Sequence, residues 1–294
     1  MFYDMRYIKY EDASMNLKLS HYAIAVHDLS KAAETYNKLF GMKVSGEIHN
    51  EWGSFDALEL GFFGERTLLL MSPTDEKNNI SQQMKLRSTE SNPYGDGFHV
   101  AVFQSDDPRD AAAYVEKQGG KVIDSGLDSG MHIVHPMSCN FVLWEIQPTR
   151  PSHNPDIDLK FSHIGIAVND LDASVETYTK IFSLVQEPAK WVSDAGKFKT
   201  APISLNGNQV VTLLNPQSDD APMKRLMNSR IDKFNLHGEG FYMAIWTSKD
   251  PLAWAKKIQS AGGRVLDDGS KSGRVLIHPS STHGILMEIT SESA

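Results

Sequence analysis

Residues 19–26, LSHYAIAV, recur as FSHIGIAV at residues 161–168, and this repeat decides the organisation of the chain. Nearly one rigid offset relates the two halves. Glu288 follows Glu145 by 143 positions, and the two histidines of the repeat lie 142 positions apart. Because self-similarity at one fixed offset is the signature of duplicated structural units, the sequence predicts two copies of one scaffold.

The agreement between the halves extends along their whole length. The matching pairs are VHDLSKAAETYNKLFGM with VNDLDASVETYTKIFSL, GDGFHVAVF with GEGFYMAIW, EKQGGKVID with QSAGGRVLD, and HPMSCNFVLWEI with HPSSTHGILMEI. The segment TRPSHNPDIDL between them is rich in proline and polar residues, which is typical of a linker. We expect an N-terminal extension at residues 1–16, a first module at 17–148, a linker at 149–158 and a second module at 159–294.

Composition indicates a globular protein. Hydrophobic residues make up 40% of the 294 residues and charged residues 22%, which suits two domains that each bury a core. The formal net charge of −8 argues against nucleic acid as a partner, because phosphate binding requires clustered Lys and Arg. Cys139 is the single cysteine, which excludes a disulfide framework and a thiolate zinc cluster. With no apolar signal core and no 18-residue apolar run, we expect a cytoplasmic protein that does not bind membranes.

The opening strand and helix of the first half are readable from spacing. In LKLSHYAIAV, His21 and the two alanines that follow share one face of a strand, and the tyrosine, isoleucine and valine take the other. Asp28 or Ser30 can cap the next helix, and Gly41 sits where a helix C-cap is expected. Two further strands are predicted at SFDALEL and RTLLLM.

The second quarter repeats this plan. GFHVAVF is predicted as a strand, residues 107–118 as a helix, and KVID, MHIVH and NFVLWEI as strands. The order of strand, helix and three strands therefore occurs four times, which predicts an α+β fold of four βαβββ units. Residues 75–97 and 215–240 join the units of each half and are predicted as short helices or lids, or as solvated connectors.

Four such units, with a histidine on the first strand of a unit and a glutamate on the last, resemble the vicinal oxygen chelate superfamily. That superfamily contains glyoxalases, methylmalonyl-CoA epimerases, extradiol dioxygenases and antibiotic-resistance proteins. The resemblance covers residues 17–148 and 159–290. It implies that paired units curl into a cup-shaped mixed sheet with helices outside. It also implies a divalent metal at the centre of the cup, with open positions at which substrate oxygens chelate.

By this resemblance the metal ligands of the first half are His21, His99 and Glu145. Glyoxalases and epimerases usually add a Glu or Gln on the last strand of the first unit, and Leu69 stands at that position. Two imidazoles and one carboxylate still hold one face of an octahedron, so we expect one divalent metal: Fe, Mn, Co, Zn or Ni. Glu59, on the preceding strand, is a candidate surrogate ligand or substrate-binding residue.

The corresponding positions of the second half are His163, Thr212, Tyr242 and Glu288. A tyrosine in place of the histidine weakens binding of a divalent ion, because its hydroxyl has a pKa near 10. We therefore expect one metal site, in the first half, and a degenerate site in the second. The alternative for Glu288 is a structural hydrogen-bond network with Tyr242 or His163.

Two branches of the superfamily compete for the function. Extradiol dioxygenases use the same two-His, one-Glu set on Fe(II), but their pattern places a tyrosine about ten residues before the glutamate. Here that residue is His135 in the first half and His278 in the second. The runs HPMSCNFVLWEI and HPSSTHGILMEI are instead similar to those of the methylmalonyl-CoA epimerases and their relatives, which favours the epimerase branch.

The resemblance implies a metal-dependent isomerase or epimerase that transfers a proton beside a carbonyl group. Glu145 and Glu51 are the candidate catalytic residues, the latter near the position where epimerases keep a candidate base, and His135 is a candidate substrate-binding residue. An Fe(II) ring-cleaving dioxygenase and a non-catalytic binding protein remain alternatives. We expect a small-molecule carbonyl or carboxylate substrate, and either a monomer or a homodimer.

Overall fold

The first half of the chain forms one sheet of eight strands. The structure, a computed structural model, describes residues 15–51, 53–126, 130–151, 157–188 and 197–292. The strands of the first sheet are β1 (Leu17–Ala25), β2 (Lys43–Asn50), β3 (Phe55–Phe62), β4 (Glu65–Pro73), β5 (Gly97–Ser105), β6 (Val122–Gly126), β7 (Met131–Val134) and β8 (Trp144–Pro148). Their order across the sheet is β2-β3-β4-β1-β5-β8-β7-β6, so the two units of the half join through antiparallel pairing of β1 with β5.

The second half forms a second sheet with the same topology. Its strands are β9 (Lys160–Ala167), β10 (Val185–Gln186), β11 (Phe198–Leu205), β12 (Asn208–Pro216), β13 (Gly240–Ser248), β14 (Val265–Asp268), β15 (Val275–Ile277) and β16 (Leu286–Ser291). Their order is β10-β11-β12-β9-β13-β16-β15-β14. The α+β fold of two tandem modules, each with a mixed open sheet, is therefore confirmed.

In the described ranges, six α-helices connect the strands. They are α1 (Leu29–Phe40), α2 (Asn79–Arg87), α3 (Pro108–Lys117), α4 (Leu171–Ile181), α5 (Pro222–Ser229) and α6 (Pro251–Ser260). Asp28 is the N-cap of α1, where its side chain accepts the Lys31 N–H, and Gly41 ends the helix at φ 81°. No helix of the described ranges is long and apolar enough to span a membrane.

The strand predicted over NFVLWEI is wrong in its first part. A short 3-10 helix, Pro136–Ser138, precedes it, and β8 begins only at Trp144. The chain turns between them, with positive φ at Asn140 (48°) and Phe141 (59°). Proline at the first helical position favours the helical turn, and left-handed residues cannot continue a strand.

One hydrophobic core contains buried residues of both halves. It includes Tyr22 and Trp144 of the first sheet and Trp246 of the second, and in it α1 contacts α6 and α3 contacts α4. The opposite face of each sheet carries its own smaller apolar cluster, which α2 covers in the first half and α5 in the second. We call these two faces the first cup and the second cup.

The sheets span residues 17–148 and 160–291, while the domain boundaries proposed from the sequence stay a prediction. Residues 1–14 of the predicted extension, 152–156 of the predicted linker and the last two residues of the predicted second module lie outside the described residues.

Candidate functional site

His21 lies on the face of β1 that forms the first cup. Ala23 and Ala25 belong to the apolar cluster of that cup, whereas Tyr22 and Ile24 belong to the shared core, so the predicted strand faces are confirmed. The His21 side chain is fully buried, and its Nδ1 lies 3.0 Å from the Ser20 hydroxyl. Its Nε2 is buried without a hydrogen-bond partner. Leaving an imidazole nitrogen unpaired in a buried polar site is costly, and this nitrogen is available to a ligand.

His99 reaches the same cup through a β-bulge. Ala23 pairs with Val100 and Ile24 with Phe98, so His99 is the extra residue of β5 between them. Its Nδ1 lies 3.0 Å from the Gln83 side-chain oxygen on α2. Because an amide oxygen only accepts, Nδ1 carries the proton and Nε2 keeps a lone pair. Burial, with a smaller effect of Arg87, lowers the pKa of His99 to about 3, so the ring is neutral at pH 7.

Glu145 lies in one row with His21 across three neighbouring strands. His21 pairs with Val102 of β5, and Val102 pairs with Glu145 of β8. The flanking Trp144 is in the shared core and Leu143 is in the first cup, which confirms the predicted orientation of the carboxylate. Burial raises the pKa of Glu145, and a hydrogen bond from Gln147 and the charge of Arg66 oppose this rise.

The donor set of the first cup fits a divalent metal in chemistry. His21 and His99 each have Nδ1 beside a polar side chain, as metal-binding histidines usually do, and Glu145 adds a half-buried carboxylate. In the parts of the chain that the structure describes, no three His, Cys, Asp or Glu side chains stand close enough together to hold an ion. The ligand assignment therefore stays a prediction that the unpaired Nε2 of His21 supports.

Arg66 is a residue of the first cup that the sequence did not reveal. Its side chain is 7% exposed; Nη1 donates to Glu59 at 2.9 Å and Nη2 donates to Gln147 at 3.1 Å. Alternation along RTLLLM places Arg66 on the core face with Leu68. The register of β3 with β4 shifts at this point, because Leu60 pairs with Leu68 but Gly61 pairs with Arg66. A glycine inside a strand often marks such a bulge and was the available signal.

The remaining predicted residues of the first half occupy different surroundings. Glu59 lies in the first cup, but its Oε1 accepts from both Arg66 and Arg150. Glu51 is exposed in the turn between β2 and β3. His135 caps the short 3-10 helix, where its Nδ1 accepts the Met137 N–H at 3.2 Å.

The cap role of His135 is repeated at His278 in the second half, where Nδ1 accepts the Ser280 N–H at 3.0 Å. Because the same contact forms at His135 and at His278, the geometry of the local turn is sufficient to explain it. Substrate binding by His135 and by Glu59, and catalysis by Glu51, stay predictions.

In the second cup the polar side chains contact one another. Gln209 Nε2 lies 3.0 Å from Nε2 of His163 and also donates to the Thr212 hydroxyl, so the imidazole nitrogen that is unpaired in His21 has a partner here. Arg274 Nη1 lies 3.5 Å from Glu288 Oε1. Burial raises the pKa of Tyr242, which keeps its hydroxyl neutral. Glu288 is therefore compensated by Arg274, which is a different partner from the Tyr242 or His163 of the alternative network.

Each of the two connectors contains a short helix, which is one of the alternatives that the sequence left open. Ile80 and Met84 of α2 are buried in the first cup, and Met223 and Met227 of α5 are buried in the second. Arg87, at the end of α2, donates Nε to the Gly95 carbonyl at 3.0 Å and Nη1 to the Phe98 carbonyl. Arg87 therefore anchors α2 to β5, and its Nη2 is buried without a hydrogen-bond partner among the described residues.

Comparison with known proteins gives a family and a fold. The model of the family described as Glyoxalase/Bleomycin resistance protein/Dioxygenase superfamily matches residues 18–128 and 160–284. A search of curated proteins returns no significant match. A mutant of 4-hydroxymandelate synthase from Streptomyces coelicolor is similar with a TM-score of 0.72 and 12% identity, covering 94% of this chain and 92% of that one. This likeness shows that the two halves together have the same fold as that protein.

Single-module structures match part of the chain. Methylmalonyl-CoA epimerase from Mycobacterium tuberculosis is 21% identical, covers 46% of this chain and 88% of its own, and has a TM-score of 0.40. A mutant epimerase from Streptomyces coelicolor in complex with 2-nitronate-propionyl-CoA is 28% identical over 46% of this chain and 94% of its own, with a TM-score of 0.38.

Proposed function

Since the chain belongs to the Glyoxalase/Bleomycin resistance protein/Dioxygenase superfamily, we propose that it is a metal-dependent isomerase or epimerase acting beside a carbonyl group. The first cup is the proposed active site, with His21, His99 and Glu145 as the metal ligands. The observation that carries the proposal is the buried Nε2 of His21, which has no partner, whereas Nε2 of His163 is paired with Gln209.

A divalent metal held by His21, His99 and Glu145 would supply positive charge beside a substrate carbonyl group and so favour loss of a neighbouring proton. His21 and His99 offer neutral nitrogen donors, because burial lowers the pKa of both rings. Arg66 can only donate hydrogen bonds, so Gln147 accepts from it through Oε1 and donates through Nε2 to Glu145 at 2.8 Å. This chain of bonds holds Glu145 as an acceptor and fixes its orientation.

The proton transfer itself requires a carboxylate that the ligand set does not use. Glu51 is our proposed base, and its exposure in the turn after β2 lets it exchange the proton with solvent. The apolar cluster around Leu69 and Met71, covered by Ile80 and Met84 of α2, excludes water from the floor of the cup. Such exclusion strengthens the electrostatic interactions that stabilise an enolate.

Iron-dependent oxygen chemistry is the second candidate. The two-histidine, one-carboxylate set is the donor set that non-haem Fe(II) oxygenases use, and it leaves positions for a bidentate substrate. Bound iron together with substrate-dependent oxygen consumption would favour this reading over proton transfer. A non-catalytic binding protein is the third candidate, and it predicts no metal in the first cup.

Metal content per chain tests the proposal. The protein is purified without chelators or metal-affinity resin and compared with His99→Ala and with Tyr242→Ala, the matched variant of the second cup. We expect about one equivalent of metal per chain in the parent protein and in Tyr242→Ala. We expect this metal to be lost in His99→Ala, because the proposed site has only three protein ligands and needs all of them. Deuterium uptake from solvent into a panel of 2-oxo acids and acyl thioesters then tests proton transfer. A protein that binds no metal after reconstitution would overturn the proposal.

A further inference from the structure

The first cup contains a cluster with an excess of positive charge. Arg66 and Arg150 both donate to Oε1 of Glu59, at 2.9 and 2.8 Å. Arg66 is 7% exposed and Glu59 15%, whereas Arg150 is 52% exposed at the edge of the cluster. Two guanidinium groups therefore share one carboxylate oxygen, and the next carboxylate, Glu145, is reached only through Gln147. We call Arg66, Arg150 and Glu59 the arginine cluster.

The arginine cluster lies beside the proposed ligands. Burial is the main reason for the lowered pKa of His21, and the positive charges of Arg66 and Arg150 lower it further. The charge of Glu145 acts in turn on Arg66. Burial and repulsion by Arg150 lower the pKa of Arg66 to about 10, so its guanidinium group is charged at pH 7.

The fold itself does not require the arginine cluster. At the matching positions of the second half stand Pro202, for Glu59, and Gln209, for Arg66, yet the same eight-stranded sheet forms. The buried carboxylate of the second cup, Glu288, is compensated by Arg274, and the first half has Met131 at that position. The first cup therefore has the charged Glu59 and Arg66 at two positions where the second cup has uncharged residues.

We propose that Arg66, with Arg150, is the anion subsite of the first cup and that the substrate is a small 2-oxo or 2-hydroxy carboxylate. This proposal rests on the proposed function. A guanidinium carries five N–H groups, of which Arg66 uses one for Glu59 and one for Gln147, so others remain for a substrate carboxylate.

The charge of the cup agrees with this substrate class. Arg66 and Arg150 balance the charges of Glu59 and Glu145. A divalent metal would then leave two positive charges among these groups. The enolate of a 2-oxo acid carries two negative charges, one on its carboxylate and one on its enolate oxygen, whereas the enolate of a neutral ketone carries one. The cup is therefore complementary to the dianion.

Oxalate tests the subsite because it is a rigid dianion with vicinal oxygens. Its affinity is measured by calorimetry on metal-loaded protein, beside 2,3-butanedione as a neutral probe. Arg66→Gln copies Gln209 of the second half, and Arg274→Gln is the matched control of the second cup. We expect Arg66→Gln, compared with the parent protein at equal metal loading, to weaken oxalate binding about 10- to 100-fold, the effect of losing charge-assisted hydrogen bonds. Its butanedione affinity and the oxalate affinity of Arg274→Gln should equal those of the parent.

Glu59→Gln gives the opposite expectation. It removes the negative charge that competes for Arg66, so oxalate should bind about 3- to 10-fold more tightly. A general loss of structure cannot produce tighter binding, which keeps the proposal testable if Arg66→Gln folds poorly. Equal oxalate affinity in the parent and Arg66→Gln proteins, or weaker binding to Glu59→Gln, overturns the subsite.

Failure of the proposed function is a separate result. If the parent protein binds no metal, the proposed function has failed, and oxalate is then titrated into the metal-free protein. Oxalate binding that depends on Arg66 under those conditions supports the subsite, and binding that does not depend on Arg66, or no binding, overturns it.

Discussion

The carboxylate of Asp96 lies 2.8 Å from Nδ1 of His283, which belongs to the other half of the chain. Asp96 also accepts the His27 N–H at 2.9 Å and lies 3.1 Å from the His27 ring. The duplicate position, Glu239, accepts from the Asn140 side chain at 3.0 Å and from the Asn169 N–H at 2.7 Å. Asp96 and Glu239 therefore each connect the two halves. Asp96 does so through two histidines and Glu239 through two asparagines.

We predict that acid weakens the Asp96 contact. Burial raises the pKa of Asp96, but hydrogen bonds from His283 and His27 outweigh it and leave the pKa below its ordinary value. A lowered carboxyl pKa contributes stability that is present above the unfolded pKa, about 3.9, and is lost as pH falls through the folded pKa. Asp96→Asn should cost about 1–3 kcal/mol of unfolding free energy at pH 7 and progressively less below pH 4.

The measurement is urea unfolding of parent and Asp96→Asn proteins between pH 7 and pH 3. His283→Asn copies the asparagine of the other half, keeps a hydrogen-bond donor and should lose only part of the pH dependence. A difference between parent and Asp96→Asn that stays constant over this range would contradict the prediction.

Two buried tyrosines cross between the halves in the same duplicated manner. The Tyr36 hydroxyl donates to the Thr282 carbonyl at 3.0 Å, and the Tyr178 hydroxyl donates to the Cys139 carbonyl at 3.1 Å. Replacing either tyrosine by phenylalanine removes one buried hydrogen bond and should lower the unfolding free energy by about 1–2 kcal/mol. The two bonds share no partner, so the double variant should show the sum to within about 0.5 kcal/mol in urea titrations. A double variant as stable as the parent would argue against both contacts.

The faces of single strands could be read from the sequence, because side chains alternate with a period of two. This predicted correctly that His21 lies with the alanines of β1 and that Glu145 lies opposite Trp144. The duplicated sequence gave the number of units, since matched segments at one offset fold alike. Neither inference requires knowledge of which strands pair.

The cup position of Arg66 depends on pairing and was missed. The register shift that turns Arg66 into the cup occurs between β3 and β4, and the shift at His99 occurs between β1 and β5. A bulge moves one side chain to the opposite face, so a rule of strict alternation fails there. His99 was assigned through the family resemblance, which does not depend on strict alternation. No resemblance pointed to Arg66.

Contacts between the halves could not be predicted from the sequence, for a different reason. Asp96 and His283 are 187 positions apart, and neither stands out in its own segment. A long-range pair of this kind is specified by the docking of α1 and α4 against the opposite module rather than by local pattern. The sequence therefore predicts each module better than it predicts how the two modules meet.

Gly95 should be intolerant of substitution because helix α2 approaches it closely. Its φ is 68°, and a Cβ there would lie 1.8 Å from the Met84 carbonyl oxygen of α2. We expect Gly95→Ala to cost more than about 2 kcal/mol and to increase hydrogen exchange over residues 79–87, since α2 has to move. Gly64→Ala is the control: its φ is 85°, nothing lies within 4 Å, and about 1 kcal/mol of backbone strain is expected. Equal exchange of α2 in both variants would contradict this account.

Glu145→Gln should stabilise the metal-free protein at neutral pH. Burial raises the pKa of Glu145 more than Gln147 and Arg66 lower it. A carboxyl whose folded pKa is raised costs stability above its unfolded pKa, about 4.3, and this cost is absent at lower pH. The melting temperature of metal-free Glu145→Gln should therefore exceed that of the parent by a few degrees at pH 7 and match it near pH 4.

The same variant should lose the stabilisation that metal gives. Ligand at 100 times its dissociation constant adds about 2.7 kcal/mol to a protein that binds it only when folded. We expect this gain in the parent and in Glu288→Gln, because Glu288 is paired with Arg274 in the second cup. We do not expect it in Glu145→Gln, which lacks a proposed metal ligand. Melting curves of the three proteins with and without added metal make the comparison. A metal-dependent rise in Glu145→Gln, or its loss in Glu288→Gln, would place the metal outside the first cup.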